Sequence, residues 1–396
     1  VIIAFTDITA HTFKTFVEGT AFGPAVAGSS FLYLLEAVLM GFLLYRYKIN
    51  LWIATLVFLP LTLFIVWVGP HLPTPVLSAL SAISVKQWDL ILLGYCLFAS
   101  LIPVWLLLQP RGYLGGWFLY LVILFGLWGA LFGGFKLEYP PFTLEGLNSS
   151  VNGKMIFPLL FITVACGACS GFHGIVSSGT TSKQIRKHKD TLLIGYGAML
   201  MEGLVAALAI ATVVMLPKES EILKLEPNLI YANGIARYMG LVRIPFQAAL
   251  PFALLAFSTF VYDTLDVCTR LARYILQELT GWKSPAGIIA AALICLIIPV
   301  LFLMFTKEKG YLLAWPIFGS SNQLLASLIL LALSVWLIKI GRTPLYTILP
   351  MLFMMAMTIW SLISLTIPFL QALPKWPAEK ISPDIVISGI CGIVLL

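Results

Sequence analysis

The 396 residues are 60% hydrophobic and only 10% charged, against roughly 45–50% apolar and about 25% charged in ordinary soluble domains. That composition excludes a water-soluble globular fold, which could not hide so much apolar surface. The net charge of +7 sits in short loops between apolar runs, where basic residues set membrane orientation and do not point to nucleic acid.

A bilayer core needs about 20 apolar residues per helix. Such runs predict spans near 1–18, 24–45, 51–69, 88–108, 114–134, 155–180, 190–216, 245–276, 286–306, 311–338, 346–368 and 383–396, about twelve in all. The first and last are read as partial, because the sequence opens and stops inside apolar runs, and both ends are expected to be cut from a longer protein. The connections 46–48, 110–112, 183–189, 270–283 and 339–342 are dense in Lys and Arg and are assigned to the cytoplasm. Lys183, Arg186, Lys187 and Lys189 anchor that assignment. The opposite loops are longer and carry Glu138, Glu145, Glu219, Glu221, Glu226 and Glu379. The longest, 217–243, reads as a short amphipathic helix lying outside the membrane. The expected architecture is one transmembrane domain over 1–396, an all-α polytopic bundle with discontinuous helices.

Ionisable residues at depth cost about 2.5–3.5 kcal/mol on insertion scales and face a cavity or a partner, so they are the first functional candidates. Asp7 and His11 are four apart in the first span, and Glu36 is isolated in the second. The sixth span holds Gly167, Gly171, Gly174 and Gly179 within Cys166–Thr181. Each Gly costs about 1 kcal/mol against Ala in a helix, so the density predicts either a break or close packing through small residues. A break at mid-membrane exposes N–H and C=O groups that transporters use to hold carboxylates and ions. Ser170, Gly171, His173 and Ser178 would then line a substrate path. Cys166 and Cys169 have C-x-x-C spacing, with packing set against a redox role.

Glu202 reads as a lone buried carboxylate able to load and release a proton. In the eighth span Asp263 and Asp266 precede Thr269, Arg270 and Arg273. Asp266 and Arg270 are four apart and share a helix face, which predicts a pair: either a structural salt bridge or a gate with Arg270 as counter-ion. The tenth span carries Trp315, Pro316, Gly319, Ser320, Ser321, Asn322 and Gln323. Its two amides suit a peptide bond or carboxylate, and Pro316 and Gly319 are expected to loosen the helix.

Several of these stretches occur in the order of one family's motifs. Pro103-Val-Trp-Leu-Leu-Leu-Gln-Pro-Arg111 with Tyr113 resembles P-V-W-L-L-L-x-P-R-D-Y-L. Phe161 to His173 and Ser177-Ser-Gly-Thr-Thr181 resemble C-G-A-x-S-G-F-H-x-x-x-S-S-G-T-T. Gly195-Tyr-Gly-Ala-Met-Leu-Met-Glu202 resembles G-Y-G-x-M-L-M-E. Leu265-Asp-Val-Cys-Thr-Arg270, Trp315-Pro-Ile-Phe-Gly319 and Asn322-Gln323 match as well. The family is carbon starvation protein A, resembled strongly over about 85–330 and loosely elsewhere. The resemblance implies an inner-membrane permease of the amino acid–polyamine–organocation type, taking up peptides or pyruvate under a cation gradient. Two departures stand out. The family's Asp after Pro-Arg is Gly112 here, and its Gly- and Pro-rich N-terminal segment is not found.

The sequence thus predicts a multi-pass secondary transporter of a bacterial inner membrane, importing peptides or small carboxylates such as pyruvate. Ser170, Gly171, His173, Ser178, Asn322 and Gln323 are the substrate-binding candidates. Glu202, Asp266 and Arg270 are the coupling or gating candidates. The expected partners are the substrate, a coupling proton or cation, and the lipid bilayer. No cofactor, metal or nucleic acid is expected. A membrane thiol oxidoreductase using Cys166 and Cys169, or a nutrient sensor without flux, are the competing readings.

Overall fold

A backbone inside a bilayer has no water to bond with, so a chain of long apolar runs folds as helices that satisfy their own N–H and C=O groups. The computed structural model of the chain describes residues 1–16, 20–140, 150–151, 154–306, 309–375 and 382–396. Its helices are α1 (Ile2–Thr12), α2 (Phe22–Arg46), α3 (Leu51–Val68), α4 (Thr74–Ala82), α5 (Val85–Leu101), α6 (Leu108–Phe132), α7 (Phe161–Ala165), α8 (Gly171–Gly179), α9 (Asp190–Val214), α10 (Pro227–Gly240), α11 (Phe246–Thr280), α12 (Pro285–Phe305), α13 (Tyr311–Lys339), α14 (Leu345–Ala372) and α15 (Pro383–Leu395). A two-residue antiparallel ladder, Ser150–Val151 with Lys154–Met155, is the departure from helix among the described residues.

Local chemistry sets several of the boundaries. The Asn50 side chain accepts from the Trp52 N–H at the start of α3. Ser84 and Gln87 close a reciprocal capping box on α5, satisfying two of the donors that every helix start leaves open. Ser284 caps α12, with Pro285 at the first helical position, where its missing N–H costs nothing. Gly281 ends α11 in the left-handed region at φ +71°, which a residue without Cβ adopts freely.

Eight helices among the described residues are long and apolar enough to cross a membrane, or nine if α4 and α5, bent by 97° at their junction, count as one span. The sequence reading counts about twelve, with its first and last runs partial. α1 has 11 residues and α15 has 13, and the sixth run is divided into short pieces. The loop 217–243 carries a helix, as its pattern predicts. It contains α10, whose Leu229, Ala232, Ile235, Ala236, Tyr238 and Met239 are buried, packed against α6 and α11. The contact is close enough that a Cβ on Gly129 of α6 would collide with the Tyr238 ring. Pro316 and Gly319 do not loosen α13, which runs unbroken. Glu145 and Glu379, read as acids of the outer loops, lie outside the described residues.

Where one domain was expected, the chain divides into two compact units, 1–139 with 204–310 and 140–203 with 311–396. In the first, α11 is the axis and α1, α2, α5, α6, α10 and α12 pack around it. Leu250, Leu254, Tyr262 and Leu265 of α11 are fully enclosed. In the second, α13 lies against α14, α15 packs on α14, and α7 and α8 lie on α13.

Candidate functional site

The first unit encloses a knot of charge. Arg111, three residues into α6, has no exposed surface. Its Nε and Nη2 donate to Asp263 Oδ1 at 2.8 and 2.5 Å, and its Nη1 lies 2.5 Å from Asp266 Oδ2. Nη1 also donates to the Tyr95 hydroxyl of α5. That hydroxyl in turn donates to Asp266 Oδ2 at 2.8 Å. The Tyr33 hydroxyl of α2 donates to the Arg111 carbonyl at 2.7 Å. Asp266 is 1% exposed and Asp263 31%. With both acids ionised, one guanidinium faces two carboxylates, and the enclosed group carries one negative charge too many. In a medium that screens poorly, that imbalance is relieved by a proton or a cation. Asp266 Oδ1, buried and without a hydrogen-bond partner, is an open acceptor for it.

The expected pair of Asp266 with Arg270 is not formed. One turn below Asp266, the Arg270 Nη2 donates to the carbonyls of Ala99 and Ile102 at 2.6 and 2.7 Å. Arg273 Nη2 donates to the Ser100 carbonyl at 2.9 Å. These are carbonyls that the end of α5 leaves unpaired, and they lie at the negative pole of its dipole. The geometry thus makes Arg270 a cap on α5, while Arg111 takes the counter-ion position. Arg111 itself had been read as a cytoplasmic loop charge. The helix instead starts before it and carries it inward, to acids 152 residues further along the chain. The motif around Pro110 was visible in the sequence; the contact with Asp263 and Asp266 was not.

In the second unit the sixth run is broken. A π-turn (Ile156–Leu160) leads into α7, which stops at Ala165, and α8 starts at Gly171. Asn322 of α13 holds the break. Its Oδ1 accepts from the Phe172 N–H at 2.7 Å and from the Ser170 hydroxyl at 3.2 Å, and its Nδ2 donates to Cys166 Sγ at 3.1 Å. Ser170 Oγ accepts from the His173 N–H at 3.3 Å. Gly171 makes the approach possible: a Cβ there would stand 2.5 Å from the Asn322 carbonyl oxygen and from Leu325. Gln323, beside Asn322, is fully buried with both amide atoms unpartnered.

Other candidates fall around this break. Glu202 of α9 is exposed, not buried as expected, because α9 keeps little of its surface inside the fold. Its Oε1 nonetheless lies 3.7 Å from where a Cβ on Gly167 would stand, so it faces the broken segment. His173 and Ser178 are exposed on α8, and the Ser178 hydroxyl donates back to the Ile175 carbonyl. Cys166 and Cys169 are free thiols, as are the other four cysteines. Elsewhere in the first unit, Glu36 accepts from Thr62 Oγ1 at 2.9 Å.

Comparison with known proteins agrees with the motifs. The family described as carbon starvation protein CstA matches residues 1–233 and 218–361. The chain is 29% identical over 361 residues to the peptide transporter CstA of Helicobacter pylori, covering 74% of this chain and 52% of that one. It is 31% identical over 327 residues to the peptide transporter CstA of Escherichia coli, covering 65% and 46%. To the pyruvate/proton symporter BtsT of Escherichia coli it is 30% identical over 357 residues, covering 68% and 49%. The chain spans about half the length of the curated relatives it matches. No solved structure matches it. With its apolar helices and these transporter relatives, it is a multi-pass inner-membrane protein.

Proposed function

The chain belongs to the carbon starvation protein CstA family, and from that premise we propose that it is a secondary active transporter, not an enzyme, importing peptides or small carboxylates such as pyruvate under carbon limitation. Uptake is coupled to a proton or cation gradient. The observation that carries this reading is the break between α7 and α8, held by Asn322, with Glu202 facing it. The substrate carboxylate takes the N–H groups of the first turn of α8, where the helix dipole favours an anion. It competes there with the Asn322 amide beside Ser170, Gly171 and His173; Ser178, about two turns further along α8, and Gln323, next to Asn322 on α13, line the rest of the substrate path in this reading. Coupling falls to Glu202 and to the Arg111, Asp263 and Asp266 group. The surplus negative charge of that group supports Asp266 as the acid that takes up the coupling ion. Arg270 supports the same event at one remove, by fixing α5 against α11.

The test is uptake by the full-length protein in proteoliposomes under an imposed gradient. Labelled pyruvate competes against di- and tripeptides, and sodium and proton gradients are applied separately. Accumulation that collapses with the gradient is expected. Equilibration without accumulation of any of these substrates would end the reading.

A further inference from the structure

A second acid in the first unit is better enclosed than any in the charge knot. Asp89, near the start of α5, has no exposed surface, and neither of its carboxylate oxygens has a hydrogen-bond partner. An ionised carboxylate in that position would have neither water nor a donor, and the ordinary resolution is to hold a proton. α1, which carries Asp7 and His11, packs along α5, with the Phe13 ring just past its end 4.9 Å from that of Trp88, the residue before Asp89; Lys86 precedes Asp89 on α5. Lys86 is committed elsewhere, its Nζ donating to the Leu303 carbonyl of α12. Asp7 Oδ1 lies 3.2 Å from His11 Nδ1, which also meets the Asp7 carbonyl at 2.8 Å. At the end of α1, Thr12 Oγ1 accepts from Asn228 Nδ2 at 2.7 Å, which brings up the start of α10; Glu226, the residue before that helix, has Lys309 Nζ 2.6 Å from its Oε1.

Exposure climbs along this line: 1% at Asp7, 14% at His11, 24% at Glu226 and 51% at Lys309. The groups form a staircase from water to an interior acid, with an imidazole, the side chain best matched to neutral pH, in the middle. The groups are carboxylates and an imidazole, which take up and release protons.

We propose that Asp89 is a proton-carrying acid, loaded from the surface through Glu226, His11 and Asp7. One proton enters from water onto the Glu226 carboxylate. Each group in turn accepts a proton and gives one up, and the last transfer turns the Asp89 anion into a neutral acid. The net change is one proton moved inward. The inference deepens the transport reading by naming the ion, and rests on it only for the use of that proton; the chemistry can be followed without transport.

The experiment is infrared difference spectroscopy of the full-length protein in lipid vesicles across a pH jump, with uptake measured in parallel. The wild-type difference spectrum should contain a C=O stretch component from the Asp89 acid that is missing in Asp89→Asn, whatever band Asp266 contributes. His11→Ala should leave the size of that band unchanged but slow its appearance at least about tenfold. A band unchanged in Asp89→Asn, or loading at wild-type rate in His11→Ala, would overturn the proposal. Should Asp89→Asn fail to fold, Asp89→Glu keeps the acid and moves its band, and an unmoved band is equally fatal. Failure of wild-type uptake with the band intact would reject the transport reading alone.

Discussion

Arg111 is the residue on which the first unit's polar interior turns. Its guanidinium is shared by two carboxylates and a phenol, and removing one partner of a buried ionic group costs about 3–5 kcal/mol because the remainder is left uncompensated. Arg111→Met should therefore destabilise the protein by about that amount. Adding Asp266→Asn should recover part of the loss, since it removes one of the stranded charges; a double-mutant cycle on thermal melts checks this. Glu202 offers the opposite case. It is exposed, so Glu202→Gln should leave stability within about 0.5 kcal/mol of wild type. It should abolish gradient-driven accumulation while sparing substrate exchange across the membrane. Intact accumulation in that variant would remove Glu202 from the coupling scheme.

At the scale of elements, two helix ends are closed by side chains from distant helices. Asn322 closes the start of α8, and losing such a cap costs about 1 kcal/mol. Asn322→Ala should lower the melting temperature modestly and raise the KM for uptake, with Asn322→Asp recovering the cap but not carboxylate binding. Arg270 and Arg273 close the end of α5, and hydrogen bonds from charged groups contribute about 1.5–3 kcal/mol each. Arg270→Leu should thus destabilise strongly but leave the ratio of ions to substrate unchanged in the molecules that remain folded. A normal melt with altered stoichiometry would restore Arg270 to the gate.

These two caps also mark where sequence reading succeeds and where it stops. The break was legible, because four glycines in sixteen residues carry a helix penalty that shows without any partner. Asn322 and the broken run both stand out in the sequence, but not that they touch. Asp266 and Arg270 illustrate the converse error. Spacing of four predicts a shared face, yet a side chain on that face also meets other helices: Arg270 goes to the open carbonyls of α5, and Asp266 is paired with Arg111 through Oδ2. The short helix in 217–243 was legible from its apolar spacing, but not that its apolar stripe packs against α6 and α11.

Across the whole molecule, the charged interior and the broken helix lie in different units. That separation predicts a division in kinetics. Variants at Arg111, Asp263 and Asp266 should change the dependence of uptake on the gradient and the maximal rate, with little effect on substrate KM. Variants at Ser170, Gly171 and Asn322 should act chiefly on KM. Initial rates over a substrate range at two gradient strengths separate the classes, and a single class of effect at all six positions would show that the division is not functional.

The arginine bonds to the end of α5 have a mechanical corollary. They lash α5 to α11, and Tyr95 and the two acids ride on that pair. Arg111 rides on α6, which is itself tied to α2 through Tyr33 and to α3 through the 2.7 Å contact of Tyr113 with Thr55. The guanidinium bridges the two groups of helices across the packed faces of α6 and α11, and neutralising both acids should loosen that join. Spin labels on α6 and α11 should draw apart in the Asp263→Asn, Asp266→Asn double variant, while labels on α5 and α11 keep their distance.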